Sequence, residues 1–266
     1  MKVAVAQFAS RTDAPANRAR VLDLLENAAR DGAEFVVLPE AAMWPLDRPA
    51  TELVRIAETL DGPFVTALAE AASASGVTAI AGMFERLPGQ ARVYNTVVAV
   101  GPEGLLGRYR KLHLYDALGH KESDTLVPGP IDGEELLVLS LGEFVVGIAT
   151  CYDLRFPELF RVLADRGATA FAVPAAWVAG PLKLDHWMTM CRARAIENTS
   201  YLLAAAQPPP AYCGRSLVID PMGVEIVGLG ATDGVATADI SPERVSAVRA
   251  LLPVLAQRRY EVRPRS

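Results

Sequence analysis

An α/β fold with sheets inside and helices outside is the class that this 266-residue sequence predicts. Two patterns carry that expectation. Strand-like apolar runs alternate with amphipathic helical stretches through both halves of the chain. Several of those runs, Phe35-Val36-Val37-Leu38 among them, are apolar at every position, as a sheet covered on both faces requires. A hydrophobic fraction of 51% against 21% charged supplies enough core material for such a sheet.

Residues 3–8 open the chain as a strand. Residues 17–30 carry Val21, Leu22, Leu25 and Ala28-Ala29 at helical spacing, and Asp31-Gly32 ends that helix. The apolar strand at 35–38 follows. Helical pattern over 52–75 is broken at Gly62-Pro63, and strands are expected at 77–84 and 93–100. Gly101-Pro102-Glu103-Gly104 reads as a hairpin turn into a further strand over 105–113. The second half repeats the theme, with strands at 136–139 and 144–149, a helix near 157–166 and a strand at 170–173. A long helix at 184–198 precedes strands at 201–205, 216–219, 225–227 and 236–239. Ser241-Pro242-Glu243 starts a last helix with proline at a favoured first position. Pro208-Pro209-Pro210 is read as a rigid surface bend, because strand pattern resumes soon after it. Without a linker rich in Gly or Ser, residues 1–266 are expected to form one domain, with 253–266 a basic tail suited to a subunit interface.

Bulk properties exclude several functions. The net charge of −5 argues against nucleic-acid binding through a basic face, and Arg108-Tyr109-Arg110-Lys111 and Arg258-Arg259 read as solvated clusters. Three cysteines, at 151, 191 and 213, show no short paired spacing. That is neither a disulfide framework nor a zinc pattern, and it suits a reducing cytoplasm. No apolar run approaches the ~20 residues of a membrane span, and the start of the chain lacks the apolar stretch of a secretory signal. A cytoplasmic protein with neither membrane nor nucleic-acid partners is the expectation.

Three side chains sit where chemistry is done. Cys151 follows the apolar run Phe144 to Thr150 and precedes a polar turn and a helix that starts near Pro157. Such a junction exposes a side chain at the carboxyl end of a strand and aims a helix N-terminus at it, which favours the thiolate. An inert core cysteine fits this context equally well. Glu40 closes Val36-Val37-Leu38-Pro39, so its carboxylate is partly desolvated and suited to act as a base. Taken alone it also reads as a helix cap or a surface glutamate. Lys111 ends an alternating strand and on its own would be a solvated edge lysine. Beside a thiol and a carboxylate it becomes a fixed positive charge for an oxyanion, worth about 3–4 kcal/mol of barrier.

In order and spacing, these segments resemble the carbon–nitrogen hydrolase (nitrilase-like) superfamily along essentially the whole chain. The matching fragments are Val3-Ala4-Val5-Ala6-Gln7, Leu38-Pro39-Glu40, Tyr109-Arg110-Lys111-Leu112-His113-Leu114, Glu122 before Val127-Pro128-Gly129, and Cys151-Tyr152-Asp153-Leu154-Arg155-Phe156-Pro157-Glu158. The resemblance implies a four-layer α-β-β-α sandwich, paired into homodimers or higher homo-oligomers. It implies Cys151 as nucleophile, Glu40 as general base, Lys111 as oxyanion-stabilising cation and Glu122 as a further glutamate near the leaving nitrogen. Thiol, base and cation supply every step, so neither a metal nor an organic cofactor is expected.

Other constellations fit less well. The chain has no Gly-x-Ser-x-Gly elbow, and none of His113, His120 and His186 has an i, i+4 partner, so a structural or binding role is expected for each. Cys191 and Cys213 lack a strand–turn–helix setting, and no helix follows Gly228-Leu229-Gly230.

Within the superfamily, residues 151–158 resemble the branch holding omega-amidase and deaminated-glutathione amidase. His186-Trp187, Arg192 to Asn198, Ala204 to Gln207, Leu252-Pro253-Val254 and Arg258-Arg259 lean toward the latter. The implied partner is a small amide that carries a carboxylate. Arg155 and Lys183 are candidates to meet that carboxylate, with Tyr115, Tyr152 and Trp177 at the pocket. For Arg155, a salt bridge to Asp153 or Glu158 is an equal reading, and for Trp177 core packing is another. Two stretches depart from the family pattern: 174–183 carries a bulky Trp and extra basic character, and Gly214-Arg215-Ser216 replaces Gly-His-Ser. Both are expected near the pocket mouth. Omega-amides, carbamoyl-amino acids and nitriles stand as other substrates, and a noncatalytic scaffold as another class of function.

Overall fold

The computed structural model describes residues 1–263. β1 (Lys2–Gln7) leads into α1 (Ala14–Arg30), capped by Asp13, whose carboxylate accepts the Ala16 N–H at 3.0 Å. β2 (Phe35–Val37), a short α2 (Ala50–Ile56) and α3 (Pro63–Ser75) follow, and Gly76 at φ 69° ends α3 in the left-handed region. β3 (Thr78–Glu85), β4 (Tyr94–Gly101) and β5 (Gly104–Arg110) complete the first half. The second half runs β6 (Val138–Leu141), β7 (Phe144–Ile148), α4 (Pro157–Asp165), β8 (Ala170–Ala175), α5 (Lys183–Asn198) and β9 (Tyr201–Ala206). Then come β10 (Leu217–Ile219), β11 (Glu225–Gly228), β12 (Gly234–Asp239) and α6 (Pro242–Leu251), the last capped by Ser241 ahead of Pro242 as expected.

One difference from the expected elements has a local cause. The strand expected at 136–139 lies about two residues later, as β6. The tight turn at Gly142-Glu143 pairs Leu141 with Phe144 and so sets its register. Residues 151–155, expected as a polar turn, form a 3-10 turn between β7 and α4.

Two six-stranded mixed sheets result, ordered β12-β1-β2-β3-β4-β5 and β11-β10-β9-β8-β7-β6. In the first, β1, β2 and β3 are parallel; in the second, β7, β8 and β9 are. Alternation along each strand explains the layering. In β1, Val3 and Val5 face the second sheet, whereas Ala4 and Ala6 join a separate core with Val21, Leu24 and Leu25 of α1 and Phe64 and Leu68 of α3. β2 does the same with Phe35 and Val37 on one side and Val36 on the other. On the far side, Leu159, Phe160 and Leu163 of α4 and Trp187, Cys191 and Ala195 of α5 cover the second sheet. The order is helices, sheet, sheet, helices: the expected four-layer α-β-β-α sandwich.

Of the segment expected as an interface tail, residues 264–266 lie outside the described residues. Within its described part, Arg258 pairs with Asp165 at the end of α4 in its own chain. Among the described residues, no helix is long and apolar enough to cross a membrane.

The layering brings the carboxyl ends of β2, β5, β7 and β8 to one edge of the sandwich, and the chain leaving β2 must pass very close to β3. At Gly82 of β3, an added Cβ would meet the Glu40 Cα and the Ala41 nitrogen, each at 2.6 Å. Both are backbone atoms with no room to yield. Gly82→Ala is therefore expected to destabilise the protein by about 1–3 kcal/mol in chemical denaturation and to displace Glu40. A variant with unchanged midpoint would show that this crossing is loose.

Candidate active site

Glu40 stands just past β2, followed by Ala41 at φ 54°. Its side chain is fully buried, and each carboxylate oxygen has protein partners. Oε1 accepts from Asn95 Nδ2 at 2.7 Å and Lys111 Nζ at 3.0 Å, and Oε2 accepts the Ala176 backbone N–H at 2.6 Å. Gln207 Nε2 donates to the Glu40 carbonyl at 2.8 Å and so fixes the backbone from behind.

Lys111 follows β5 directly and is 1% exposed, not the solvated edge lysine that its sequence position alone allows. Its ammonium lies between two carboxylates. Besides Glu40, it donates to Glu122 Oε1 at 3.0 Å and Oε2 at 2.9 Å. Burial works to lower the Lys111 pKa, but Glu122 and Glu40 outweigh it and hold the group well above the ordinary lysine value. Glu122 heads a short 3-10 turn and also accepts the Tyr115 N–H at 2.8 Å. Its own pKa is raised, first by burial, with the Lys111 charge opposing and the Glu40 charge adding to the rise.

Cys151 begins the 3-10 turn after β7 with φ 47°, a conformation uncommon outside glycine. The charges of Glu40, Lys111 and Glu122 all bear on its thiol. Here one expectation is corrected. The strand-to-helix junction was expected to favour the thiolate, but burial, and then the Glu40 charge, push the thiol pKa well above its ordinary value against the pull of Lys111. The shift favours the protonated thiol, and attack by such a group would need a base within reach. Cys191 and Cys213 stand apart from this cluster; Cys191 is fully buried on the sheet-facing side of α5, as the packing reading has it.

Cys151 opens into a cavity of about 290 Å³ that Glu122, Tyr115, Tyr152, Trp177 and Lys183 also line. Lys183 is 5% exposed, and its ammonium donates to the Tyr115 hydroxyl at 2.9 Å. It lies 4.4 Å from the Tyr115 ring centroid and 5.0 Å from that of Trp177. Among the described residues, no carboxylate lies within salt-bridge distance of it. Trp177 serves both readings made of it. It lines the cavity and packs in the core, its ring 5.6 Å from that of Trp187 and its indole N–H on the Lys183 carbonyl at 2.8 Å.

Arg155 is placed differently. It does not line the cavity, and neither Asp153 nor Glu158 pairs with it. Its guanidinium lies over the Trp177 ring at 5.0 Å and the Tyr152 ring at 5.8 Å, next to His186 Nδ1 at 3.4 Å. It buttresses the cavity wall from outside. Arg215 also lies off the cavity and faces Glu225 of β11 at 3.4 Å, so only the 174–183 departure reaches the pocket.

Several residues at the site are missed by sequence reasoning. Arg48 and Tyr212 line the cavity, beside His120, which stacks on Tyr115 at 5.1 Å in the structural or binding role expected of it. Asn95 had a faint signal, as a polar side chain within the apolar strand β4. The Ala176 N–H had none, since a backbone donor looks the same at every residue. Among the described residues, no group of three or more His, Cys, Asp or Glu is arranged to hold a metal.

The balance of charge at the thiol gives a prediction with a definite sign. A carboxylate disfavours a neighbouring thiolate, so Glu40→Gln is expected to lower the Cys151 pKa. Thiolate absorbance in the ultraviolet, referenced to Cys151→Ala, should rise at lower pH in Glu40→Gln than in the native protein. Superimposable titrations would mean that the thiol does not sense Glu40.

Residues 2–250 match the family described as carbon-nitrogen hydrolase. A protein described as a hydrolase from Mycobacterium tuberculosis is 40% identical over 272 residues, covering 96% of this chain and 94% of that one. A deaminated glutathione amidase of Escherichia coli is 39% identical over 261 residues, covering 98% of each. Among solved structures, Saccharomyces cerevisiae Nit3, described as a member of branch 10 of the nitrilase superfamily, superposes with a TM-score of 0.86. It is 28% identical and covers 98% of this chain and 97% of its own.

Proposed function

This chain belongs to the carbon–nitrogen hydrolase family, hydrolases of non-peptide C–N bonds, and from that premise we propose that it is a cysteine-dependent amidase. Its substrate is a small carboxylated molecule, deaminated glutathione first among them, and its products are the acid and ammonia. The observation that carries this reading is the meeting of Glu40, Lys111 and Glu122 around the one thiol that opens into the cavity.

In the first step, Sγ of Cys151 bonds to the carboxamide carbon as Glu40 takes the thiol proton, and the carbonyl electron pair moves onto oxygen. Lys111 and the Tyr152 backbone N–H hold that negative oxygen. The intermediate collapses, the C–N bond breaks, and Glu40 returns the proton to the departing nitrogen, which leaves as ammonia. Glu122 lies on the far side of Lys111 and steadies the nitrogen as it departs. The thioester is then attacked by water, whose proton passes to Glu40. The C–S bond breaks and the proton ends on sulfur, which restores the thiol and frees the acid. A thiol held protonated at rest suits this sequence, because its proton is needed by the leaving nitrogen.

Lys183 supports the substrate class. Among the described residues, this nearly buried ammonium is held by a hydroxyl and two aromatic faces and is short of a counter-charge, and a substrate carboxylate supplies one. The identity to the deaminated glutathione amidase of Escherichia coli favours that substrate over an omega-amide or a carbamoyl-amino acid.

Two measurements test the proposal. Cys151→Ala, shown to be folded, should release ammonia from the best substrate at a rate lower by more than about 10⁴-fold; retained turnover would overturn the mechanism. Lys183→Met should raise KM about tenfold to a hundredfold for deaminated glutathione and leave a neutral aliphatic amide nearly unaffected. Equal losses on both would remove Lys183 from carboxylate recognition. A panel that adds α-ketoglutaramate, a carbamoyl-amino acid and a nitrile ranks the alternatives.

A further inference from the structure

Asp153 is fully buried, lies two residues from the nucleophile, and takes no part in the chemistry above. Its carboxylate accepts four hydrogen bonds. Oδ2 takes the Tyr109 hydroxyl at 2.7 Å and the Thr150 backbone N–H at 2.8 Å. Oδ1 takes the His113 backbone N–H at 3.2 Å and faces His113 Nδ1 at 2.7 Å, which must therefore carry the hydrogen.

The positions of the donors are the telling feature. Tyr109 and His113 each lie two residues from Lys111, one on either side, and Thr150 immediately precedes Cys151. One carboxylate thus ties the segment carrying the oxyanion cation to the turn carrying the nucleophile. The Tyr109 oxygen reinforces the tie by accepting the Leu112 N–H at 3.4 Å. From α5, Arg194 holds the same turn by donating to the Leu154 carbonyl at 2.9 and 2.6 Å. The His113 ring lies flat on Phe156 at 3.6 Å, which fixes the plane in which Nδ1 points.

We propose that Asp153 is a positioning residue that sets the distance between Lys111 and Cys151, with His113 and Tyr109 as the arms of the clamp. Two physical needs make such a device necessary. Cys151 adopts φ 47°, and a non-glycine residue stays in that region only when its surroundings over-determine it. An oxyanion donor also acts fully only when it is held in place before the charge develops. Burial, followed by the Asp153 charge, raises the Tyr109 pKa, so the hydroxyl remains a donor to the carboxylate at every working pH.

The clamp rests on the reading of Cys151 as nucleophile and Lys111 as oxyanion partner, and its test separates the two ideas. Asparagine at position 113 places an amide N–H where Nδ1 stands; leucine places none. His113→Leu should lower kcat by about 10- to 100-fold with KM within about twofold, as expected when reacting groups are displaced by a fraction of their contact distance. His113→Asn should recover most of that loss. Alkylation of Cys151 by iodoacetamide, followed by intact mass, should slow in the leucine variant and return in the asparagine variant. Should His113→Leu fail to fold, Tyr109→Phe removes the other arm and should show the same pattern of low kcat with unchanged KM. Native kcat and alkylation rate in His113→Leu, or an asparagine variant as impaired as leucine, would overturn the clamp. If the native protein hydrolysed no amide while the alkylation rates still followed this pattern, the amidase reading would fall and the clamp would stand.

Discussion

A buried ammonium needs counter-charge, and the pairing of Lys111 with both Glu40 and Glu122 is the constraint around which this edge of the molecule is built. The three groups come from the end of β2, the end of β5 and a 3-10 turn, so none can be satisfied unless the first sheet is correctly assembled. Two carboxylates against one ammonium leave a surplus of negative charge facing Cys151. That surplus, added to burial, keeps the thiol protonated. On the proposed mechanism, the site would store its nucleophile in the neutral form and leave activation to the moment of attack.

The sandwich serves this arrangement by geometry. Strands running in one direction in both sheets end at the same edge, and the residues that follow them meet in a cleft between the sheets. Small side chains on the helix-facing side of β1, Ala4 and Ala6, let α1 lie close, whereas the valines on the other side fill the gap between sheets. The same economy of space recurs at Gly82, where backbone passes backbone and no side chain fits. Packing density and catalytic geometry are here one requirement.

Electrostatic roles are divided by depth. Glu40 and Lys111 lie fully beneath the cavity wall, Cys151 and Glu122 reach its floor, and Lys183 stands among aromatic rings within it. Behind the wall, Arg155 stacks on Trp177 and Tyr152 and keeps them in place. Glu40 and Lys111 are held by several partners each, and the Lys183 ammonium, by contrast, has one polar contact among the described residues. That contrast is what the proposed function uses: fixed groups for the chemistry, and Lys183 for a substrate's charge.

Much of this was legible along the chain because it depends on neighbours in sequence. The fully apolar run at Phe35 announced a strand covered on both faces, Ser241-Pro242 announced a helix start, and the motif fragments marked Glu40, Lys111, Glu122 and Cys151 in order. The bounds of β6 were misplaced by about two residues because a turn downstream sets them. The Ala176 N–H on Glu40, the Asp153 tie between two distant segments, the stacking of Arg155 and the turning of Arg215 toward Glu225 left no trace in the sequence. Each is a contact between residues whose side-chain directions are decided only when the sheets pack. Local pattern sets which residues are strand, helix or buried. Which charges face one another, and therefore whether Cys151 rests as thiol or thiolate, is decided by the tertiary structure, because electrostatic energy depends on distance through space and on burial, not on separation along the chain.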